Sequence, residues 1–181
     1  MKAKKKINQM INDLIIKHNI SEEIKEIKDL LIKQCLEQRH TLDTAKTGNT
    51  FVVESKYTNF LYNIFYQISN MNLNKFNIRD LNFKLWCYLT DEKFHDQAWH
   101  NHINTTTINS VLYLKTQNKG IFFRHKNEKI HIIPEEGDML IFPSFLYHLP
   151  EVSTTEPRIT LNLELRCIEP AERIFKNGTY T

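Results

Sequence analysis

The sequence predicts a mainly β protein with helices at its N-terminus: a sandwich or barrel of antiparallel sheets against which the helices pack. Two observations carry this reading. Up to about residue 71 apolar residues recur at helical spacing, and after Asn82 the pattern shifts to short aromatic and β-branched runs separated by turn residues. At 181 residues the chain can bury one sizeable core. We therefore read residues 1–80 as a helical region packing on a β core over residues 81–181, the two forming one structural unit.

The elements follow in order. Ile7, Met10, Ile11, Leu14 and Ile15 share one helical face and predict a first helix over residues 7–18. Ser21 precedes Glu22 and Glu23, an N-cap serine with acids in the first turn, and Ile24, Ile27, Leu31 and Cys35 continue one side, so a second helix is expected over residues 21–38. The polar stretch 41–49 contains Thr-Gly-Asn and predicts a loop. Phe60, Leu61, Ile64, Phe65 and Ile68 make an apolar stripe on a third helix over residues 57–71, which reads as packing against a sheet. Strands are then expected at 83–89, 98–103, 109–115, 120–124, 129–133, 138–142 and 158–166. Pro134 and Gly137 frame one chain reversal by supplying fixed and positive φ respectively, and Asn118-Lys119-Gly120 frames another.

Composition narrows the function classes. The net charge of +3 is too small an excess to argue for nucleic acid as a partner, and the Lys4-Lys5-Lys6 cluster reads as a solvated tail. The three cysteines, Cys35, Cys87 and Cys167, lie far apart with no CxxC spacing and no secretory signal ahead of them, so reduced thiols and a cytoplasmic location are expected. No apolar run approaches the roughly 18 residues needed to span a bilayer, so membrane insertion is not expected. Lysine outnumbers arginine, and isoleucine and asparagine are plentiful, as in an AT-rich microbial or viral genome.

Three short pieces carry chemistry. His100 and His102, two positions apart, face the same way on a strand and can supply two imidazoles to a divalent metal. His148 can close the site from the opposite sheet, leaving positions open for substrate and oxygen, as in non-haem Fe(II) oxygenases. The usual set there is two histidines and one carboxylate, and His102 stands where a carboxylate is usual. Asp96 is an alternative carboxylate, although it precedes the pair. Arg158 opens an otherwise apolar strand ten positions after His148. Its guanidinium can donate two parallel hydrogen bonds to a carboxylate, Thr160 on the same face can add a hydroxyl, and Tyr113 can offer a third donor. Plainer readings stand beside these: His100 and His102 as polar residues at a strand edge, His148 as a hydrogen-bonded core histidine, Arg158 as a surface ion pair with Glu151 or Glu156. His40, His95, His125 and His131 have no spacing that recommends them. Trp86 and Trp99 read as packing.

The segment from Trp99 to Leu165 resembles the core of the Fe(II)/2-oxoglutarate-dependent oxygenases, in the broad prolyl-hydroxylase-like group and among the 2-oxoglutarate-Fe(II) oxygenases of phage and marine bacteria. The resemblance rests on the order and spacing of His100-Asn101-His102, the Val111-Leu112-Tyr113-Leu114 strand, the Pro134-Glu135-Glu136-Gly137-Asp138 run continuing to Phe142-Pro143-Ser144, then His148, then Arg158-Ile159 with Asn162. It covers a little over a third of the chain. It implies a double-stranded β-helix, the jelly-roll or cupin-like core, with His100, His102 and His148 on Fe(II). It further implies 2-oxoglutarate anchored by Arg158, Thr160 and Tyr113, O2 as oxidant, succinate and CO2 as products, and hydroxylation as the default outcome. The primary substrate is left open among a peptidyl side chain, a free amino acid, a nucleobase and a small metabolite, with the segments 91–98 and 144–147 expected to select it. Two other classes remain: a cupin-like metalloenzyme that does not use 2-oxoglutarate, and a non-catalytic β-sandwich that binds or scaffolds.

Overall fold

The computed structural model describes residues 11–41, 49–80, 83–93 and 97–175. Its elements in chain order are β1 (Ile16–Asn19), α1 (Ser21–Ile24), α2 (Lys28–Thr41), β2 (Thr50–Val53), α3 (Thr58–Asn72), β3 (Leu85–Thr90), β4 (Ile108–Lys115), β5 (Ile121–His125), β6 (Glu128–Ile132), β7 (Asp138–Pro143), β8 (Tyr147–Pro150), β9 (Arg158–Leu165) and α4 (Ala171–Ile174). Two antiparallel sheets face each other. The larger has the order β1-β7-β4-β9-β3-β2 and the smaller β6-β5-β8.

Period two then sorts the side chains. On β9, Ile159, Leu161, Leu163 and Leu165 join Leu85, Cys87 and Leu89 of β3 and Leu61, Phe65 and Ile68 of α3 in the principal core. Each such buried aliphatic or aromatic side chain contributes on the order of 2 kcal/mol. The other face of the large sheet turns Val111, Tyr113, Leu140 and Phe142 toward Ile121 and Phe123 of the small sheet, making a second core cluster. The even-numbered residues of β9, Arg158, Thr160, Asn162 and Glu164, line a cavity of about 770 Å³. The sheets are thus packed at one end and held apart at the other.

Several expectations need correction. The first helix is not formed as expected: within the described residues, Ile16–Asn19 is a strand whose register pairs Ile16 with Ile141 and Asn19 with Asp138. Hydrogen bonding to the open edge of β7 outweighs the local helical pattern. The second helix is broken after Ile24, and Ser21 is its first residue, preceded at the cap position by Ile20. The Ser21 hydroxyl instead donates to the Glu136 carbonyl, tying the helix start to the β7 turn. Of the third helix's stripe, Phe60 points outward at 42% exposure while Tyr62 is buried in its place. Residues 98–103 form no strand, only the bridge between His100 and His148. In the 118–120 turn the positive φ falls on Gln117 and Asn118, whereas Gly120 serves close approach, since a Cβ there would strike the Ile132 carbonyl. Strands β2 and β8 and helix α4 were not foreseen. Most of the 41–49 stretch, together with His95 and Asp96, lies outside the described residues.

The Gly137-Asp138 pair has a structural reason. Asp138 is buried and accepts hydrogen bonds from the Glu135 backbone N–H and the Asn19 amide, with Lys17 Nζ at 2.8 Å. Gly137 has φ +89°, donates its N–H to the Tyr113 carbonyl and accepts from Ile20. Any Cβ there would overlap Ser21 Oγ and press on the Ser21 backbone. Gly137→Ala is expected to destabilise the protein by about 2 kcal/mol, measured as a lowered urea midpoint at unchanged m-value. Wild-type stability in that variant would contradict the fit described here.

Candidate metal centre and co-substrate pocket

The three sequence-predicted histidines meet in space. One nitrogen from each of His100, His102 and His148 lies within 4.8 Å of the others. His148 comes from β8, buried between Phe123 and Phe142, and its backbone N–H and C=O both pair with those of His100. The segment carrying His100 and His102 is held by this bridge and by the His102 N–H, which donates to the Ser144 carbonyl, before the chain turns at Thr105 and Thr106. The pair therefore needs no full strand.

Hydrogen bonding assigns the tautomers. His100 Nδ1 lies 2.9 Å from the Ala98 carbonyl and His148 Nδ1 3.1 Å from the Leu146 carbonyl. A carbonyl only accepts, so each Nδ1 carries the proton and each Nε2 presents its lone pair. His102 Nδ1 faces Glu164 Oε1 at 3.2 Å, with the same consequence when it donates. Anchoring of the non-ligating nitrogen is the usual support of a metal-binding imidazole. Two of the rings, His148 and His100, are also kept neutral. Burial, followed by the neighbouring His100, pushes His148 down to about 3, and His100 is lowered by desolvation although its ring edge reaches solvent. Three converging imidazoles on one wall fit a first-row divalent cation.

Arg158, Tyr113 and Thr160 line the same cavity. Arg158 is 1% exposed, and its Nη2 donates to the Gly120 carbonyl at 3.4 Å while Nε and Nη1 have no hydrogen-bond partner. Neither acid considered as a surface partner holds it: Glu156 pairs with Lys115, and Glu151 with His131 and the Gly120 N–H. Tyr113 is fully buried, its ring centroid is 5.4 Å from the Arg158 guanidinium carbon, and its hydroxyl lies beside that guanidinium without a well-formed hydrogen bond. Burial pushes the Tyr113 phenol up to about 12, so it is a protonated donor at neutral pH. Cross-strand register puts Thr160 between Tyr113 and Tyr88. A buried guanidinium without a counter-ion costs several kcal/mol, which a carboxylate entering this end would offset.

Sequence reading missed Tyr88, Trp86, Asn109, Asn162 and Glu164, all of which line the cavity. The signal was present in β9, where Arg-Ile-Thr-Leu-Asn-Leu-Glu-Leu alternates strictly and puts every polar residue on the face that carries Arg158. Asn109, directly across from Glu164, is 3% exposed with both amide atoms lacking partners. Beyond the triad the cavity is lined from β3, β4 and β9 and also by Thr50, Tyr62, Asp80, Phe83 and Lys84, with none of its lining from the 144–147 segment. Trp99 packs outside, under Arg124, while Trp86 borders the cavity.

Comparison with solved structures defines the fold class: the chain has the double-stranded β-helix, or jelly roll, of the 2-oxoglutarate-Fe(II) oxygenases. A prolyl-4-hydroxylase from Pseudomonas putida superposes with a TM-score of 0.65 at 13% identity, covering 88% of this chain and 96% of that one. A Trichoplax adhaerens prolyl hydroxylase, solved with a hypoxia-inducible-factor peptide fragment, gives 0.62 at 13% identity over 88% and 86% of the two chains. SnoN, a non-haem α-ketoglutarate-dependent epimerase of nogalamycin biosynthesis, gives 0.59 at 12% identity over 93% and 87%. No family model and no curated protein matches the sequence. Among the described residues no helix is long and apolar enough to cross a membrane.

The depressed His148 pKa has a consequence for stability. In the unfolded chain this ring binds a proton near pH 6.5, in the folded metal-free chain only near 3, so between these values the unfolded state holds more protons. The contribution is fully present above about pH 6.5 and is lost as pH falls toward 3, with a limiting slope of about 1.4 kcal/mol per pH unit. The denaturant midpoint of metal-free protein should drop from about pH 7.5 to 5, and less steeply in His148→Asn. Equal slopes in the two proteins would contradict this account.

Proposed function

We propose that this chain is an Fe(II)- and 2-oxoglutarate-dependent oxygenase acting on a substrate that remains to be identified. His100, His102 and His148 would hold the metal through Nε2. Arg158, Tyr113 and Thr160 would hold the far carboxylate of 2-oxoglutarate, with Tyr88 flanking them. The observation that carries the reading is the buried Arg158, which has two donors without partners, in the same cavity as three converging imidazoles.

When bound, iron and 2-oxoglutarate supply the oxidising chemistry that activates O2 and yields succinate, CO2 and an oxidised substrate. The protein's own part is binding and orientation. Neutral His100 and His148 keep their lone pairs available at neutral pH, so no proton has to leave before a cation is held. Tyr113 donates through a hydroxyl that burial keeps protonated. Val111 and Ile121 line the same cavity and contribute apolar wall that keeps water from the ion pair Arg158 would form. The wall formed by Trp86, Asn162, Glu164 and Arg166 would face the primary substrate, an aromatic surface beside both signs of charge. Hydroxylation is the default outcome. SnoN, an α-ketoglutarate-dependent epimerase, has a similar fold, so the fold is not restricted to hydroxylation.

The test pairs turnover with binding. Wild-type protein with Fe(II), O2 and 2-oxoglutarate is expected to release succinate, and Arg158→Gln to weaken 2-oxoglutarate binding by about 100-fold while leaving metal binding intact. Unchanged 2-oxoglutarate binding in Arg158→Gln, or no succinate from folded, metal-loaded wild type, would sink the proposal. Metal binding without any 2-oxoglutarate binding would point to the cupin-like alternative.

A further inference from the structure

The three imidazoles leave the site one negative charge short of the common two-histidine, one-carboxylate set. We propose that Glu164 is the positioning residue that returns this charge from one shell out: its carboxylate accepts the His102 Nδ1–H, orients that ring and makes it a more basic ligand. The inference rests on the reading of the triad as a metal site and assigns to a particular residue what distinguishes this site from a carboxylate triad.

Four observations converge. The His102 Nδ1 to Glu164 Oε1 distance is 3.2 Å, with both side chains about a quarter exposed. The anchors of the other two rings are neutral carbonyls, of Ala98 and Leu146, so His102 is the member of the triad with a charged acceptor. Glu164 sits on a strand paired with Asn109 of β4, and its backbone N–H donates to Tyr62 Oη, which in turn donates to the Lys84 carbonyl. Its backbone is therefore fixed from two sides. Arg166, just past the end of β9, is engaged elsewhere: its Nε–H donates to the Thr105 carbonyl. A carboxylate behind a ligating imidazole fixes its tautomer and strengthens it as a donor. Here it would also offset part of the cation's charge without occupying a coordination position.

Co(II) serves as the probe, because its visible band reports coordination independently of turnover. It is titrated into metal-free wild type, Glu164→Gln, Glu164→Ala and Glu164→Asp, with thermal melts of the metal-free proteins to establish folding. Glutamine can still accept the Nδ1–H but carries no charge, so Glu164→Gln is expected to bind about 10-fold more weakly. Glu164→Ala loses charge and anchor and should fall toward 100-fold, with a shifted band, while Glu164→Asp recovers part of the affinity. Wild-type affinity and band in Glu164→Ala would overturn this inference alone. Wild-type behaviour in Glu164→Gln with loss only in Glu164→Ala would overturn the role of charge. Absence of a Co(II) band in folded wild-type protein would overturn the metal reading and this inference with it.

Discussion

The two-sided pairing of β9 is the constraint on which the rest depends. Hydrogen-bonded to β4 along one edge and β3 along the other, its eight residues cannot slip by one without exchanging their faces. In the register observed, four aliphatic side chains enter the helix-covered core, and Arg158, Thr160, Asn162 and Glu164 enter the cavity. The burial of the first set holds the second in a place where polar groups would otherwise be expensive. The core and the site are the two faces of one strand.

Electrostatics divides the cavity into two kinds of vacancy for charge. Arg158 is buried without a counter-ion and Tyr113 with a hydroxyl that has no acceptor, an arrangement complementary to a small carboxylate. At the triad the situation is reversed, because three converging imidazole nitrogens are complementary to a cation. The bridge between the His100 and His148 backbones couples the triad to the small sheet, and the Gly120 carbonyl couples Arg158 to the neighbouring turn. Arg158 and two of the three imidazoles are therefore aimed by backbone carbonyls, and the third, His102, faces the Glu164 carboxylate. Such pre-organisation is what oriented binding of two partners in one cavity requires.

Much of this was legible from local pattern, and the failures have a common cause. The strands β3, β4, β5, β6, β7 and β9 and the helix α3 could be read because each repeats its period over at least one buried or half-buried face. β1 was misread because Leu14, Ile15 and Ile16 suit a helix as well as a strand, and the vacant edge of β7 decided between them. The two-residue spacing of His100 and His102 suits a strand, yet the segment pairs at a single bridge before its chain turns. Glu164 is marked by the same alternation as Arg158 and Thr160, which continues to the end of β9, but its partner His102 lies on a distant segment.

The sequence by itself determined the chemistry available and its order along the chain: three histidines, one arginine in an apolar strand, a Gly-Asp turn and the alternating β9. These are properties of residue type and spacing, which need no partner to be read. Tertiary structure decided which groups meet. That Glu164 stands behind His102, that Glu151 and Glu156 are engaged elsewhere, and that Tyr88 flanks Arg158 each depend on pairings between distant segments. Cross-strand register sets those distances, and register is a property of the assembled sheet rather than of any segment within it.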